Sequence, residues 1–230
     1  MSGTTQIFIT LFQLSERVAL FTRGKTLYFP GPMAEKLPHV VQATRALLID
    51  LVVDFIMKEG MVTSGYHAWF AGYADAFSNL KKSNEAFLRK HRISAIITND
   101  PHEAFTFREA YGLRTQHLVE VIVENITKIK KKRTVRVSYH HPCFLDRLDV
   151  RERSVERILR RAGFRVDAAP SRCCGSVGDD YARNNKEVAS RIAKRCAAEL
   201  GNTVVTCCPY CNITLSAQGK KVIDISEALS

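Results

Sequence analysis

Apolar positions in the second half of the chain alternate between strand-like runs and helix-like spacing. Between two predicted strands, Val155, Ile158 and Leu159 fall on one face of an amphipathic helix that Gly163 ends. A second helix is predicted between Tyr181 and Leu200, and CCPYC opens a third. The predicted strands are residues 135–139, 164–166, 203–206 and 222–225. Such alternation predicts an α/β fold with a mainly parallel sheet.

The first half of the chain has the same order of predicted elements. A strand at 27–29 is followed by a helix at 38–57 and a strand-like turn near Val62. A helix at 73–91, a strand at 95–98 and a further helix come next. The chain is therefore predicted to form two Rossmann-like units in tandem.

Nearly constant offsets support this repeat. Each block of the second half has a counterpart upstream: Pro32 lies 111 residues before Cys143; Thr63, Ser64 and Gly65 lie 110 before Cys173, Cys174 and Gly175; Asp100, Pro101 and Glu103 lie 108 before Cys208, Pro209 and Cys211. Slowly drifting offsets indicate an old duplication. We expect a degenerate unit at 1–126, an exposed basic linker at 127–133 and an intact unit at 134–230.

The composition fits a globular protein without a membrane span. Of the 230 residues, 46% are hydrophobic, enough for a buried core. Asp50 and Asp54 interrupt the long apolar stretch 46–57, which is too short to cross a bilayer. The start of the sequence lacks the features of a secretory signal, so we expect a cytoplasmic protein that reaches a membrane only through its partners.

The positive charge is concentrated in the second half. Residues 1–126 contain 13 lysines and arginines against 12 acidic residues, whereas residues 127–230 contain 21 against 11. No nucleic-acid-binding module accompanies this charge, so we expect no nucleic-acid partner. Arg147, Arg172 and Arg183 lie in or near the cysteine loops. Either they recognise an anionic thiol or an acidic carrier protein, or they pair with Asp146, Asp179 and Asp180.

The cysteines carry the clearest chemical signal. All seven lie between Cys143 and Cys211, and an odd count with a vicinal pair argues for metal or redox chemistry rather than disulfides. The pattern is C-x29-CCG-x32-C-P-x-C, and each block follows a predicted strand. The carboxyl ends of parallel strands gather ligands at one crevice. Thiolates are the soft ligands that iron–sulfur clusters require.

Three motifs, YHHPCFLDR, RCCGSVGDD and VVTCCPYC, resemble the signature blocks of the cysteine-rich CCG-domain family, over roughly residues 26–229. That family includes the CCG-containing subunit of heterodisulfide reductase and relatives in glycerol-3-phosphate dehydrogenase, glycolate oxidase and lactate-utilisation complexes. The resemblance implies two joined CCG units. It also implies one noncubane four-iron four-sulfur cluster on five ligands: Cys143, Cys173, Cys174, Cys208 and Cys211.

The sequence also departs from the family pattern. His141 replaces an acidic residue, and the first unit has none of the cysteine ligands. The resemblance therefore implies a one-cluster subunit whose flavin and ferredoxin-like iron–sulfur partners lie on other chains. We expect an oxidoreductase subunit that exchanges electrons with a thiol/disulfide substrate. The alternatives are a link between a flavin dehydrogenase and the quinone pool, and a structural zinc scaffold.

The remaining candidates have two interpretations each. Cys196 is expected to be a buried inert thiol, and Cys207 either a non-ligand or a substrate-facing thiol. His140 and His141 are either donors to cluster sulfur or polar loop residues. Asp100, His102 and Glu103 could form a hard-metal site, but we expect a solvated relic. For Trp69, Phe70 and Tyr73 we expect a core cluster rather than a binding surface.

Overall fold

The computed structural model describes residues 24–131, 134–167, 169–170, 172–176 and 184–230. Two parallel sheets confirm the predicted α/β class. The first sheet has the order β1-β2-β3, with strands Lys25–Tyr28, Ile93–Thr98 and Arg114–His117. The second has the order β5-β4-β6-β7, where β4 to β7 are Arg136–Tyr139, Arg165–Asp167, Thr203–Thr206 and Lys221–Asp224.

Helices connect the strands in both halves. In the first half they are α1 Pro32–Glu35, α2 Pro38–Asp50, α3 Tyr66–Phe70, α4 Ala74–His91, α5 Pro101–Glu109 and α6 Leu118–Glu124, followed by a 3-10 turn at Ile126–Lys128. In the second half they are α7 Cys143–Asp146, α8 Glu152–Arg161, α9 Lys186–Ala198, α10 Pro209–Ala217 and α11 Ile225–Leu229. Within these described ranges, no helix is long and apolar enough to cross a bilayer.

The two sheets are built in the same way. In the second, β4 lies between β5 and β6. In the first, β1 lies between β2 and a single parallel bridge that joins Leu27 to Ile56. Each half therefore places its first strand between the next two strand segments of the chain. This order brings the carboxyl ends of neighbouring strands to one edge, where open parallel sheets form their ligand-binding crevices.

The halves pack on each other through their last helices. Helix α11 contacts α2, where the Ser226 hydroxyl donates to the Val40 carbonyl at 3.4 Å and the Ser230 hydroxyl donates to the Ala43 carbonyl at 2.9 Å. Helix α6, the last helix of the first half, contacts α8 of the second half. One hydrophobic core contains residues from both halves, among them Leu48 and Ile158, which are fully buried. Burying each such side chain stabilises the fold by about 1.5–3 kcal/mol.

Several predicted boundaries were wrong. Helix α2 ends at Asp50 instead of residue 57, because Val52 adopts a φ of 55° and Ile56 pairs with β1. The strand expected near Val62 is absent, and that side chain is 69% exposed. Helix α9 is confirmed over Lys186–Ala198, whereas Tyr181, its predicted first residue, lies outside the described residues.

The predicted linker at 127–133 is not fully exposed in the structure. Ile129 is buried, and the Lys128 ammonium donates to the Leu51 carbonyl. Lys132 and Arg133 lie outside the described residues. The division of the chain at this segment stays a prediction.

Candidate metal centre

The five predicted ligand cysteines line one small cavity of about 70 Å³. They lie on loops or helix starts that follow β4, β5 and β6, which are neighbours in the second sheet. Cys143 begins helix α7 and is exposed, Cys173 is half-buried, and the other three are buried. The sheet thus brings together thiols that are up to 68 residues apart in the sequence.

The sulfurs form one continuous series of contacts. Cys143 contacts Cys173, which contacts Cys174, and the sulfurs of Cys174 and Cys211 lie 3.3 Å apart. Cys211 then contacts Cys208. Every predicted ligand is therefore next to another one, as a single multinuclear centre requires.

Two of these thiols are poised as thiolates. Hydrogen bonds from Cys143 and Cys174 hold the pKa of Cys173 far below its usual value. Burial opposes ionisation of Cys208, but hydrogen bonds from Cys211 and His102 outweigh it and lower the pKa of Cys208 to about 6. The thiolate is the form of cysteine that binds metals, so the cavity has electron-rich sulfur at Cys208, one end of the series, and at Cys173, next to the other end.

Local backbone features orient the cysteines. Gly175 has a φ of +84°, and a Cβ atom there would lie 2.6 Å from the Ala189 carbonyl oxygen of α9. Only glycine adopts this positive φ easily and has no Cβ atom to clash with the carbonyl. Gly175 therefore lets the chain turn tightly after the vicinal cysteines and pack against α9. Cys208 caps the N-terminus of α10, and Pro209 is its first residue. The first turn of α10 therefore holds Cys208 and Cys211 on the cavity side.

His140 and His141 have different surroundings. His140 belongs to a group of potential ligand atoms with Cys174 and Cys211, all within 4.8 Å of one another. Its Nε2 is buried without a hydrogen-bond partner among the described residues, and burial lowers its pKa to about 4. His141 lies between the Tyr139 hydroxyl and the Asp146 carboxylate, at 2.9 Å from each. Of the two histidines, His140 is therefore the one positioned to interact with a metal centre.

The two remaining cysteines lie outside the cavity. Cys196 is buried on α9 as predicted, with its sulfur 3.7 Å from His140 Nδ1. Cys207 is 1% exposed in the main core, 3.9 Å from the Tyr139 hydroxyl. Burial raises the pKa of Cys207 well above its usual value. Cys207 is therefore not a substrate-facing thiol, because solvent does not reach it.

The first half of the chain supplies part of the cavity wall. Tyr66 and His102 line it together with Phe144 and Tyr210 of the second half. The rings of His102 and Tyr210 lie 4.7 Å apart, and His67 Nε2 lies 2.8 Å from the Tyr210 hydroxyl. Neither Tyr66 nor His102 was predicted to belong to this site. The 108-residue offset was the available signal, since it relates His102 to Tyr210.

Asp100, His102 and Glu103 are not a solvated relic. All three are buried, Asp100 and Glu103 almost completely. Asp100 Oδ1 accepts from the His102 backbone at 2.9 Å and lies 3.0 Å from His102 Nδ1. Burial opposes the charge of His102, but hydrogen bonds to Asp100 and Cys208 raise its pKa to about 10. His102 is buried against Phe144 and Tyr210 of the second half, whereas Asp100 and Glu103 bond to residues of their own half.

Glu103 is held by the loop that corresponds to the vicinal cysteines. Its carboxyl accepts from the Thr63 hydroxyl at 2.9 Å and from the Ser64 backbone at 2.6 Å. Burial and the nearby Asp100 charge raise the pKa of Glu103 to about 7. At the positions where the second half has cysteines, the first half therefore has polar residues that form hydrogen bonds with one another.

The expected core cluster of Trp69, Phe70 and Tyr73 was partly wrong. Trp69 is half-buried, but Phe70 is 47% exposed and Tyr73 is 66% exposed. Phe70 packs on Phe144 with ring centroids 5.9 Å apart. Phe70 therefore lies beside Phe144, which lines the cavity, while Phe70 itself does not line it.

The arginines have separate environments. Arg147 is exposed, with its guanidinium 5.2 Å from the centre of the Phe144 ring and 5.8 Å from that of Phe105. Arg172 pairs with Glu199. Arg183, Asp179 and Asp180 lie outside the described residues. Asp146, one of the three aspartates considered as partners of the arginines, bonds to His141.

The cavity and the parallel sheet together define an α/β domain with five clustered cysteines. Residues 137–216 match the family model of the CCG domain, described as "Cysteine-rich domain". The resemblance expected from the three cysteine motifs is therefore confirmed for the segment that contains all five predicted ligands.

The curated relatives are iron–sulfur proteins. The chain is 27% identical over 154 residues to the glycolate oxidase iron-sulfur subunit of Escherichia coli, covering 64% of this chain and 37% of that protein. It is 25% identical over 199 residues to an uncharacterized iron-sulfur protein of Methanocaldococcus jannaschii, covering 81% and 40%. A probable membrane-anchored ferredoxin of Chromohalobacter salexigens is 25% identical over 146 residues, covering 55% and 22%. The chain thus spans less than half the length of these relatives.

Solved structures show a distant likeness. Glutamate racemase from Aquifex pyrophilus has a TM-score of 0.39 and 14% identity, covering 89% of this chain and 80% of that chain. An aspartate racemase homologue from Pyrococcus horikoshii has a TM-score of 0.37 and 11% identity, covering 90% and 96%. A likeness of this size has no bearing on function.

Proposed function

We propose that this chain is an iron–sulfur redox subunit that holds one noncubane four-iron four-sulfur cluster. Its ligands would be the five cysteines of the cavity, Cys143, Cys173, Cys174, Cys208 and Cys211. The observation that carries the proposal is the unbroken series of sulfur contacts that joins these residues. Iron–sulfur clusters are held by thiolates, and the Escherichia coli and Methanocaldococcus jannaschii relatives are iron–sulfur proteins.

The donor set fits a cluster better than a single ion. Zinc in structural sites takes four ligands, so one of the five cavity thiols would be idle. Cys173 and Cys208 lie toward opposite ends of the sulfur series, where separate metal atoms of a cluster would need anionic ligands. When bound, the cluster would supply the capacity to accept and release single electrons.

The protein residues around the cysteines control access. Three of the five thiols are buried, and aromatic rings cover the cavity, so water is kept from most of the centre. Cys143 is the exposed ligand, and Phe70, Tyr73 and Arg147 are exposed on the same region of the molecule. A redox partner that docked here would approach the centre through Cys143.

We infer that the electrons go to or come from a thiol/disulfide substrate, as in the CCG-containing subunit of heterodisulfide reductase, within a larger complex. The other members would be flavin and ferredoxin-like iron–sulfur subunits. A second candidate is a link between a flavin dehydrogenase and the quinone pool. The similarity to a glycolate oxidase subunit of Escherichia coli favours that candidate. In either case, membrane contact would come through partners.

A structural zinc site is the third candidate. His140 lies with Cys174 and Cys211 in a group that can hold one ion, and its unpartnered Nε2 is available. A zinc ion there would need a fourth ligand from the neighbouring thiols. This arrangement would leave the exposed Cys143 without a role.

Elemental analysis of anaerobically purified protein tests the proposal. We expect brown protein with about four irons and four sulfides per chain, the composition of a four-iron four-sulfur centre. Stoichiometric zinc without sulfide would refute the cluster and establish the zinc scaffold. Redox titration with a soluble quinone and with a disulfide, followed by absorbance, would then separate the first two candidates.

A further inference from the structure

The cluster-free half of the chain contacts the metal centre directly. The His102 side chain lines the same cavity as Cys208 and lies close enough to lower the pKa of that thiol. Because Nδ1 of the same ring faces Asp100 Oδ1 at 3.0 Å, the other ring nitrogen, Nε2, is the one left to donate to sulfur. A carboxylate, an imidazole and a ligand sulfur are thus connected in that order.

We propose that His102 is a positioning residue which, held by Asp100, donates a hydrogen bond to the Cys208 sulfur and so raises the reduction potential of the bound centre. This inference rests on the proposed iron–sulfur function and extends it. It assigns to the degenerate half a role in tuning a cofactor that the other half binds.

The ring has a fixed orientation. Asp100 is fully buried and caps helix α5 by accepting from the His102 backbone at 2.9 Å. The His102 ring packs against Phe144 at 4.1 Å and against Tyr66 and Tyr210 at 4.7 Å each. The imidazole therefore cannot turn away from Cys208 without disturbing three aromatic contacts.

The direction of the effect follows from electrostatics. Reduction adds one negative charge to the centre, and part of this charge resides on the ligand sulfurs. A donor aimed at a sulfur stabilises the reduced form more than the oxidised form, which raises the potential. Burial strengthens the effect, because little water is present to screen the interaction.

The chain offers a matched control. Glu103 lies in the same helical turn and is as buried as Asp100, but its carboxyl bonds to Thr63 and Ser64 and not to His102. The Glu103→Gln change therefore removes a buried carboxyl at the same depth while it leaves the Asp100, His102 and Cys208 series intact.

The first test is a redox titration of anaerobic cluster-loaded protein. In His102→Phe, which keeps the aromatic packing but has no donor, we expect the ratio of reduced to oxidised cluster at the wild-type midpoint to fall about tenfold, equal to about 59 mV for one electron. His102→Gln keeps a donor and should recover most of the shift, and Asp100→Asn should give a smaller shift in the same direction. Glu103→Gln should stay near the wild type.

Two outcomes of this titration would overturn the inference. One is an unchanged midpoint in His102→Phe protein that carries its full iron and sulfide. The other is a Glu103→Gln shift as large as that of His102→Phe. Wild-type protein without iron or sulfide would instead refute the proposed function.

A metal-free measurement tests the contact independently of the cluster. In reduced apoprotein labelled with ¹⁵N-histidine, Cys208→Ala should move the ring resonances of His102, whereas Cys143→Ala should leave them in place. Equal responses to the two changes, or none, would show that His102 does not bond to Cys208. This readout also covers the case in which His102→Phe fails to fold.

Discussion

The loop that starts helix α5 and the loop that starts helix α10 have the same backbone design and opposite chemistry. Asp100 and Cys208 each cap a helix whose first residue is proline. Upstream, Gly65 and Gly175 have φ angles of 86° and 84°. One half uses this framework to gather thiols, and the other uses it to bury carboxyls and hydroxyls that bond to each other.

The difference between the loops indicates which interactions stabilise the shared backbone arrangement in the half that has no cysteines. A buried polar group without a partner costs about 1–3 kcal/mol, so thiol positions can be occupied by other polar residues only as a bonded set. Glu103 with Thr63 and Ser64 is such a set. If the two loops depend on different interactions, substitutions in each should have different effects, from loss of the cluster to a small change in partner binding.

The largest effect should come from the vicinal pair. Cys174→Ser replaces a soft ligand in the middle of the sulfur series and should abolish or convert the cluster, which visible absorbance and iron analysis would detect. Cys196→Ser is the control, because that thiol is buried on α9 outside the cavity and should change only packing. An unaltered spectrum in Cys174→Ser would mean that the pair does not bind metal.

The glycines should respond unequally to the same change. Gly175→Ala places a Cβ atom 2.6 Å from a backbone carbonyl at a positive φ, and we expect a loss of roughly 2–4 kcal/mol in the free energy of unfolding. Gly65→Ala meets side chains instead of backbone, the Phe77 ring at 3.0 Å and Leu80 at 3.5 Å, and should lose about 1–2 kcal/mol. Urea unfolding of the metal-free proteins measures both. Equal losses would show that backbone contact with α9 is not the special feature of the cysteine loop.

The polar set of the first half should make folding depend on pH. Burial raises the pKa of Glu103 from 4.5 to about 7, so the folded state binds a proton that the unfolded state has released between these values. Stability due to Glu103 should therefore fall as pH rises from about 4.5 to about 7, by at most about 1.4 kcal/mol per unit.

Comparison of wild-type apoprotein with Glu103→Gln across this range isolates the effect, because glutamine cannot titrate. The difference in the free energy of unfolding should shrink or reverse with rising pH. Asp224→Asn provides a counterpart in the second half, since burial raises the pKa of Asp224 to about 7 as well. Parallel curves for wild type and Glu103→Gln would contradict the assignment.

The smallest effect concerns the edge of the cavity. Arg147→Gln removes an exposed cation beside the exposed ligand Cys143 and should raise the apparent KM for an acidic redox partner a few-fold, with cluster content unchanged. The wild-type rate should fall as salt rises through about 0.15 M, where screening reaches roughly 8 Å. Arg157→Gln on α8, which does not line the cavity, is the control. A KM unchanged in Arg147→Gln together with a rate that does not respond to salt would exclude recognition through Arg147.

The ligand loops were predictable because the cysteines follow apolar strands, and the rule that parallel strands gather ligands at their carboxyl ends applies locally. Strand β6 matched its prediction residue for residue at Thr203–Thr206. Strand β3 was missed, because Arg114–His117 is polar and lacks the alternation of a half-buried strand. In α2, the apolar residues Val52 and Val53 extended the helical pattern past the true end at Asp50.

The role of His102 could not be derived in the same way. Its position depends on how the two halves face each other, and periodicity within one half contains no information on that arrangement. The offset to Tyr210 identifies the equivalent residue but not the contact between the two.

The packing of α11 on α2 also affects how the chain folds during translation. Leu47 and Leu48 share a core with Ile225 and Leu229, which leave the ribosome about 180 residues later. At translation rates of roughly 5–20 residues per second, that apolar face stays uncovered for on the order of ten seconds or more. The nascent first half is then a substrate for holdase chaperones, and the metal cavity closes only after nearly all of the described chain has emerged.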